Sequence, residues 1–453
     1  MKIGIIGAGA AGVALLDALS LADVAPGGVT VFEESPWLWR GRAYQPDLEA
    51  VRVNAPPVLM SIRHSDRAHY MRWLEGRGGY LDARMGVQIV PRAVFGEYLE
   101  ETATDAIARL RSAGWRVSVV NERVVGAAPL RTASGEHRVD RTVLAVGGGS
   151  PFDHYGLDGG PGFVLEPYPL ARTVADVPSD AHVAVIGSGL TAVDVVAALT
   201  ATGHTGPVTL VSRTGVLPHV QQRPVALEFR HLVRENLVGS REGLVDLLRS
   251  ELAAVGQDLE PLVRELSAPE DPVARLRRQL SEVDSVYLGR RLVTAAVHML
   301  GSAAWRLLSP VDRELVRRRH FRAINSLASP MAPLNGELLL REFESGRLRL
   351  LRGVVKVERV ARGFRVVGDE EVVADVVVNA VNPRSHAVPA VAEPLVGSLL
   401  AGGLVGLPER GGVEVRSRDV LSLGSATADT SFVVPSVPTL AAGAVEVVRD
   451  LVG

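Results

Sequence analysis

Two glycine-rich turns, each set between an apolar strand pattern and an apolar helix pattern, constrain this chain more than any other feature. The first is Gly7-x-Gly9-x-x-Gly12. It follows the apolar run Ile3, Ile5, Ile6 and precedes helical spacing of apolar residues from Val13 to Leu21. Gly7 permits a tight turn, Gly9 lets a pyrophosphate approach the backbone, and Gly12 lets the helix lie close to the strand. The helix start adds unpaired N–H groups and the positive end of its dipole. The next apolar strand, Val29 to Phe32, ends at Glu33, a carboxylate able to hydrogen-bond a ribose.

The second turn is Gly187-Ser188-Gly189-Leu190-Thr191-Ala192, between a strand at Val183 to Ile186 and a helix running to about Ala201. Its following strand, Val208 to Val211, ends at Ser212-Arg213. Ala192 stands where the first unit has its third glycine, and Arg213 stands where the first has its carboxylate. An arginine there fits a 2′-phosphate and favours NADPH over NADH, although a strand-end arginine is also at home in solvent. Short strands and then an apolar strand follow each unit: Val117 to Val120, Arg123 to Val125, His137 to Val139 and Thr142 to Val146 after the first. Leu348 to Val360, Phe364 to Val367, Glu371 to Val373 and Asp375 to Asn379 follow the second. The chain therefore reads as two copies of one architecture, holding FAD in one and NADPH in the other. The expected fold is α/β, with two Rossmann-like dinucleotide-binding domains and a helical insert. An FAD-binding domain spans 1–175 and 383–453. An NADPH-binding domain spans 176–382, with the insert at 216–335.

In the insert, Ser309-Pro310-x-Asp312 reads as a helix start and Arg317-Arg318-Arg319-His320 as a solvated helix face. In the tail, Val420 to Leu423 reads as a strand, Gly424-Ser425 as a turn and Val437 to Val448 as a helix entered through Pro435 and Pro438. Residues 34–80 carry Pro36, Gly41, Pro46, Pro56, Pro57, Gly76 and Gly78 and read as a long loop, a length that usually serves function. A helix follows from Ala93 to Ser112, stopped by Gly114.

Composition removes several classes. The chain has 453 residues and no cysteine, so disulfides, thiolate metal sites and redox-active disulfides are excluded. A net charge of −2 gives no bulk field for nucleic acid or anionic membrane. No apolar run reaches the roughly 18 residues of a membrane span. The N-terminal apolar run is explained by the glycine spacing and not as a signal peptide. The expectation is a soluble, cytoplasmic protein, with room left for a homo-oligomer.

Gly41-Arg42-Ala43-Tyr44, Val53-Asn54-Ala55-Pro56, Met60-Ser61, Trp73-Leu74, Pro91-Arg92-x-x-x-Gly96-x-Tyr98-Leu99 and Gly187-x-Gly189-Leu190-Thr191-Ala192-x-Asp194 resemble a bacterial group. It is the FAD/NAD(P)-binding flavoprotein group that includes L-aspartate N-hydroxylases, within the N-hydroxylating and class B-like monooxygenases. The resemblance covers residues 1–213 and, loosely, the tail. It implies that NADPH reduces FAD, that the reduced flavin forms a C4a-hydroperoxide with molecular oxygen, and that an amine or amino acid is N-hydroxylated. Cofactor contacts are then expected at Gly7, Gly9, Gly12, Glu33, Arg42, Val125, Gly147 and Gly424 for FAD. For NADPH they are expected at Gly187, Ser188, Gly189, Thr191 and Arg213. Ser425 stands where an acid often follows that tail glycine.

Asn54 is the candidate beside the flavin ring, where a neutral amide can hydrogen-bond the oxygenated species; a turn-forming asparagine before Pro56-Pro57 is the plain alternative. Arg63, His64 and Asp66, in the same loop, and Asn325 are the substrate-binding candidates. Oxygenation of carbon or sulfur, an NADPH:acceptor oxidoreductase and a non-catalytic flavin-binding module stay open. Single-Rossmann aromatic hydroxylases and flavin halogenases fit poorly, since they lack the second unit.

Overall fold

The computed structural model describes residues 1–383, 387–408, 411–425 and 436–452. Two five-stranded sheets, parallel throughout, organise it. In the first, Val420–Ser422, Arg141–Leu144, Lys2–Ile6, Gly28–Phe32 and Arg116–Val120 lie side by side in that order. In the second the order is Leu348–Leu351, Val208–Val211, Val183–Ile186, Val376–Asn379 and Phe163–Val164. Each glycine turn leaves the central strand of its sheet, Lys2–Ile6 or Val183–Ile186. Both of these strands are almost wholly buried, which is why each reads as a continuous apolar run. The α/β fold with two dinucleotide-type units is as expected, and the tail strand does return to the first sheet.

The chain passes between the units earlier than expected. Phe163–Val164 pairs with Val377 and Val378 of the second sheet, and Leu170 and Val174 are buried in the second core beside Val195 and Leu199. A boundary at 175 therefore cuts through the second unit, because a two-residue edge strand carries no periodicity to announce itself. Arg123–Val125 is not a strand either: the ladder after the first unit is the hairpin Leu130–Thr132 and Gly135–His137. Pro435 lies outside the described residues; the helix beyond it runs Val437–Val452, with Pro438 in its first turn.

In both units the connection from second to third strand carries the specialised segment. In the first it is the long loop and the helix Arg92–Ser112, which buries Phe95, Tyr98, Leu99 and Ala106. Tyr70 and Tyr98, 4.6 Å apart between ring centres, are both fully buried and bind loop to helix. In the second it is the insert, whose helices include Gly289–Leu307 and Phe321–Ala328. Ser309 caps its helix as expected, Oγ accepting from the Asp312 N–H at 3.1 Å. The basic run stays on the insert's own surface: Arg318 pairs with Glu314 at 2.5 Å and Arg317 lies 5.0 Å from the Trp305 ring centre. Among the described residues, no helix is long and apolar enough to cross a membrane.

Candidate functional site

Each turn has the backbone that only glycine adopts freely. Gly7 has φ +106° and Gly187 φ +119°. A Cβ at Gly12 would collide with the Gly7 carbonyl oxygen, so the first helix sits directly against its turn. The equivalent Ala192 is fully buried, so the second helix stands off far enough to admit a methyl.

Both turns open on one cleft of about 1400 Å³. Gly7, Gly9, Glu33, Arg42, Gly147, Gly424 and Ser425 border it from the first unit, and Gly187, Ser188, Gly189 and Arg213 from the second. His298, Arg322, Asn325 and Ser326 border it from the insert. Glu33 Oε2 accepts from the Ala8 N–H at 2.9 Å and Oε1 from the Ser35 N–H at 3.0 Å, so its carboxylate is already fixed across the turn. Ser188 Oγ donates toward Val216 O at 2.8 Å and lies 3.1 Å from Ser212 Oγ, tying the second turn to the end of its second strand. Thr191 lies behind the turn, Oγ1 3.4 Å from Asn382 Oδ1.

A polar chain links the two units at the cleft. Arg42 Nε donates to Glu166 Oε2 at 2.6 Å, and its guanidinium lies 5.3 Å from the Tyr168 ring centre. Arg42 Nη2 is buried and has no hydrogen-bond partner. The Tyr168 hydroxyl donates to Asp194 Oδ2 at 2.5 Å, and Arg92 Nη2 donates to the same oxygen at 2.9 Å. Burial pushes the Asp194 carboxyl up from its ordinary value, against Arg92 and the Tyr168 hydrogen bond. Arg92 begins the first unit's helix and Asp194 sits in the second unit's Leu190–Ala201 helix, so this buried pair fixes one unit against the other. Sequence reading missed Glu166 and Tyr168, and took Arg92 and Asp194 only as parts of a motif.

Several expected residues are elsewhere. Arg63 forms a buried ion pair with Asp17 at 2.7 Å, and Arg109 completes the cluster at 2.9 Å. Asp66 pairs with Arg72. Neither borders the cleft, and their charges are spent within the protein, so the substrate-binding expectation for them is corrected. His64 is exposed outside the cleft lining. Val125 also lies outside it, and its N–H donates to Arg131 O at 2.8 Å. Asn54 does not line the cleft either; its Oδ1 is buried without a partner.

On the insert wall, His298 Nε2 donates to Ala328 O at 2.7 Å, which leaves Nδ1 as the acceptor nitrogen when the ring is neutral. Ser326 Oγ donates to Leu217 O at 3.0 Å and accepts from the His219 N–H at 3.1 Å, with His219 Nδ1 at 2.7 Å. Those bonds pin the Phe321–Ala328 helix to the loop that follows Arg213.

Residues 4–149 match a protein-family model described as FAD-NAD(P)-binding. No curated protein sequence matches the chain. Among solved structures, L-lysine 6-monooxygenase from Pseudomonas syringae is 15% identical with a TM-score of 0.58, covering 100% of this chain and 99% of that one. The ornithine N-hydroxylase of Kutzneria sp. 744, solved with reduced FAD, NADP+ and L-ornithine, is 15% identical with a TM-score of 0.56 and coverage of 99% and 98%. Ornithine hydroxylase from Pseudomonas aeruginosa, in its reduced form, is 16% identical with a TM-score of 0.54 and coverage of 99% and 99%. At these identities the likeness is one of fold, and it extends along the whole chain.

Proposed function

We propose that this chain is an FAD- and NADPH-dependent monooxygenase that N-hydroxylates a small amine or amino acid in the cytoplasm. The observation that carries the reading is the shared cleft. Both glycine turns and Asn325 of the insert border one cavity, so two nucleotides and a substrate can meet there. The full-length likeness to lysine and ornithine hydroxylases supports the same reading.

The residues fit both cofactors. A Cβ at Gly147 or Gly189 would meet nothing within 4 Å, so open room lies beside both. Arg42 Nη2 is a buried donor in want of an acceptor at the cleft edge. Gly7, Gly9, Glu33, Arg42, Gly147 and Gly424 would hold FAD, with Gly12 supporting the turn from behind. Gly187, Ser188, Gly189 and Arg213 would hold NADPH, with Thr191 behind its turn. Reduced FAD supplies the activation of molecular oxygen. The chain's own work is to orient the nucleotides with helix-start N–H groups, fix the ribose at Glu33 and keep the two units in register through Arg92 and Asp194. Asn325 is the substrate contact of this proposal; Asn54, outside the cleft lining, is given no part in it.

The test is turnover of the FAD-loaded protein with NADPH, oxygen and a panel of amino acids and diamines. Hydroxylamine, peroxide and NADPH are counted together. One amine giving hydroxylamine in near-equal amount to NADPH consumed is the expected result. Peroxide alone with every amine would sink N-hydroxylation and turn the reading to an oxidoreductase with another acceptor.

A further inference from the structure

Among the described residues, four arginines border the cleft: Arg40, Arg42, Arg213 and Arg322. The two on the first unit are neutralised, Arg40 by Glu100 at 2.8 Å and Arg42 by Glu166 at 2.6 Å. The other two are not. Arg213 lies two residues past the second unit's second strand, Val208–Val211, and Arg322 lies in the first turn of the insert helix Phe321–Ala328. Both are exposed, and neither has a hydrogen-bond or ion-pair partner among the described residues. Both border the one cleft, and partial burial and the neighbouring Arg213 charge both hold the Arg322 guanidinium below its ordinary value. The Tyr155 ring, also on the cleft, feels the Arg213 charge as well.

Two like charges on one cleft wall without a counter-ion cost free energy unless an anion comes between them. They are also not free to separate. Ser326, one helical turn beyond Arg322, is bonded to Leu217 and His219, and Leu217 lies four residues after Arg213. The helix is thus moored to the loop that carries the first cation. A dianionic phosphate monoester is matched to two guanidinium forks in a way that a ribose hydroxyl is not.

We propose that Arg322 and Arg213 together form the site for the 2′-phosphate of the second nucleotide, so that the helical insert takes part in selecting NADPH over NADH. The proposal rests on the NADPH reading above and adds to it a residue from a different segment of the chain. Selectivity then depends on the insert being docked.

The experiment is calorimetric binding of 2′,5′-ADP and of 5′-AMP to the FAD-loaded protein, for the wild type, Arg213→Ala, Arg322→Ala and Arg322→Lys. The wild type should prefer 2′,5′-ADP. Arg322→Ala should weaken 2′,5′-ADP by about ten- to a hundredfold, the range of a charge-assisted hydrogen bond, and leave 5′-AMP unchanged. Arg322→Lys should recover part of the loss. The Tm of Arg322→Ala without nucleotide should hold or rise, because a repulsion is removed. Wild-type 2′,5′-ADP affinity in Arg322→Ala, with a loss in Arg213→Ala, would overturn the insert's role and leave the NADPH reading intact. Equal binding of both probes by the wild type would overturn the two together.

Discussion

At the end of its second strand the first unit carries Glu33, and the second carries Arg213. The ladder register aligns Glu33 with Ser212, so Arg213 lies one residue beyond the corresponding position, and the two charged groups differ in exposure and partners. Glu33 is half-buried and already holds two backbone N–H groups, at 2.9 and 3.0 Å. Arg213 is exposed and holds nothing among the described residues. The surroundings follow suit. Behind the first turn, the connection to the third strand packs Tyr70, Phe95 and Tyr98 into the core and buries Asp17 with two arginines. Beside the second, the insert leaves Met299 64% and Val311 77% exposed. A preformed, densely packed site suits a ligand that stays, and an open, unneutralised one suits a ligand that comes and goes. On the proposed function these are FAD and NADPH.

The comparison can be broken most directly at the turns. At Gly7 an added Cβ would collide with the Ala145 backbone, whereas at Gly187 it would meet Ala380 O at 3.0 Å. Gly7→Ala should yield no folded, flavin-bound protein. Gly187→Ala should fold with bound flavin and a lowered Tm. Equal damage, read from flavin absorbance and Tm, would remove the asymmetry.

The next largest effect lies under the first turn. Asp17→Ala leaves Arg63 and Arg109 without their buried partner and should cost about 3–5 kcal/mol in urea unfolding. A loss under 1 kcal/mol would show that the first unit owes its rigidity to apolar packing alone. In the second unit, Arg213→Ala should leave stability unchanged and weaken NADPH, but not NADH, by about tenfold or more. Equal loss of both nucleotides would argue against phosphate recognition there.

The smallest effect sharpens the picture of the insert. Burial raises the Glu265 carboxyl, but the close approach of His219 and the hydrogen bond from Arg278 prevail and hold it far below its ordinary value. A depressed folded pKa gives stability that is complete above the unfolded value, about 4.3, and lost as pH falls below it. Tm of the wild type should therefore fall below about pH 4.3, and Glu265→Gln should have a flatter acid limb. An unchanged limb would mean that the insert contributes nothing to acid unfolding.

Much of this protein was legible in local spacing. Strand, glycine turn and helix are neighbours in sequence. Positive φ at Gly7 and Gly187 and buried apolar runs on either side leave few other arrangements. The placement of Glu33 and Arg213 just past strands that run beside their turns was legible for the same reason. The third strand of each sheet, the Arg92–Ser112 helix and the capped start at Ser309 also follow from short-range pattern.

Tertiary structure decided what depends on partners distant in sequence. Arg63 looked like a ligand group until Asp17, 46 residues away, was seen to hold it. Phe163–Val164 belongs to the second sheet only because Val376–Asn379 offers it an edge. Asp194 gains its meaning from Arg92, 102 residues away, and Arg322 comes to border the same cleft as Arg213. The physical reason is common to the three charged cases. A turn or a helix is set by residues within a few positions of one another, whereas the fate of a charge is set by whichever opposite or like charge the fold brings beside it.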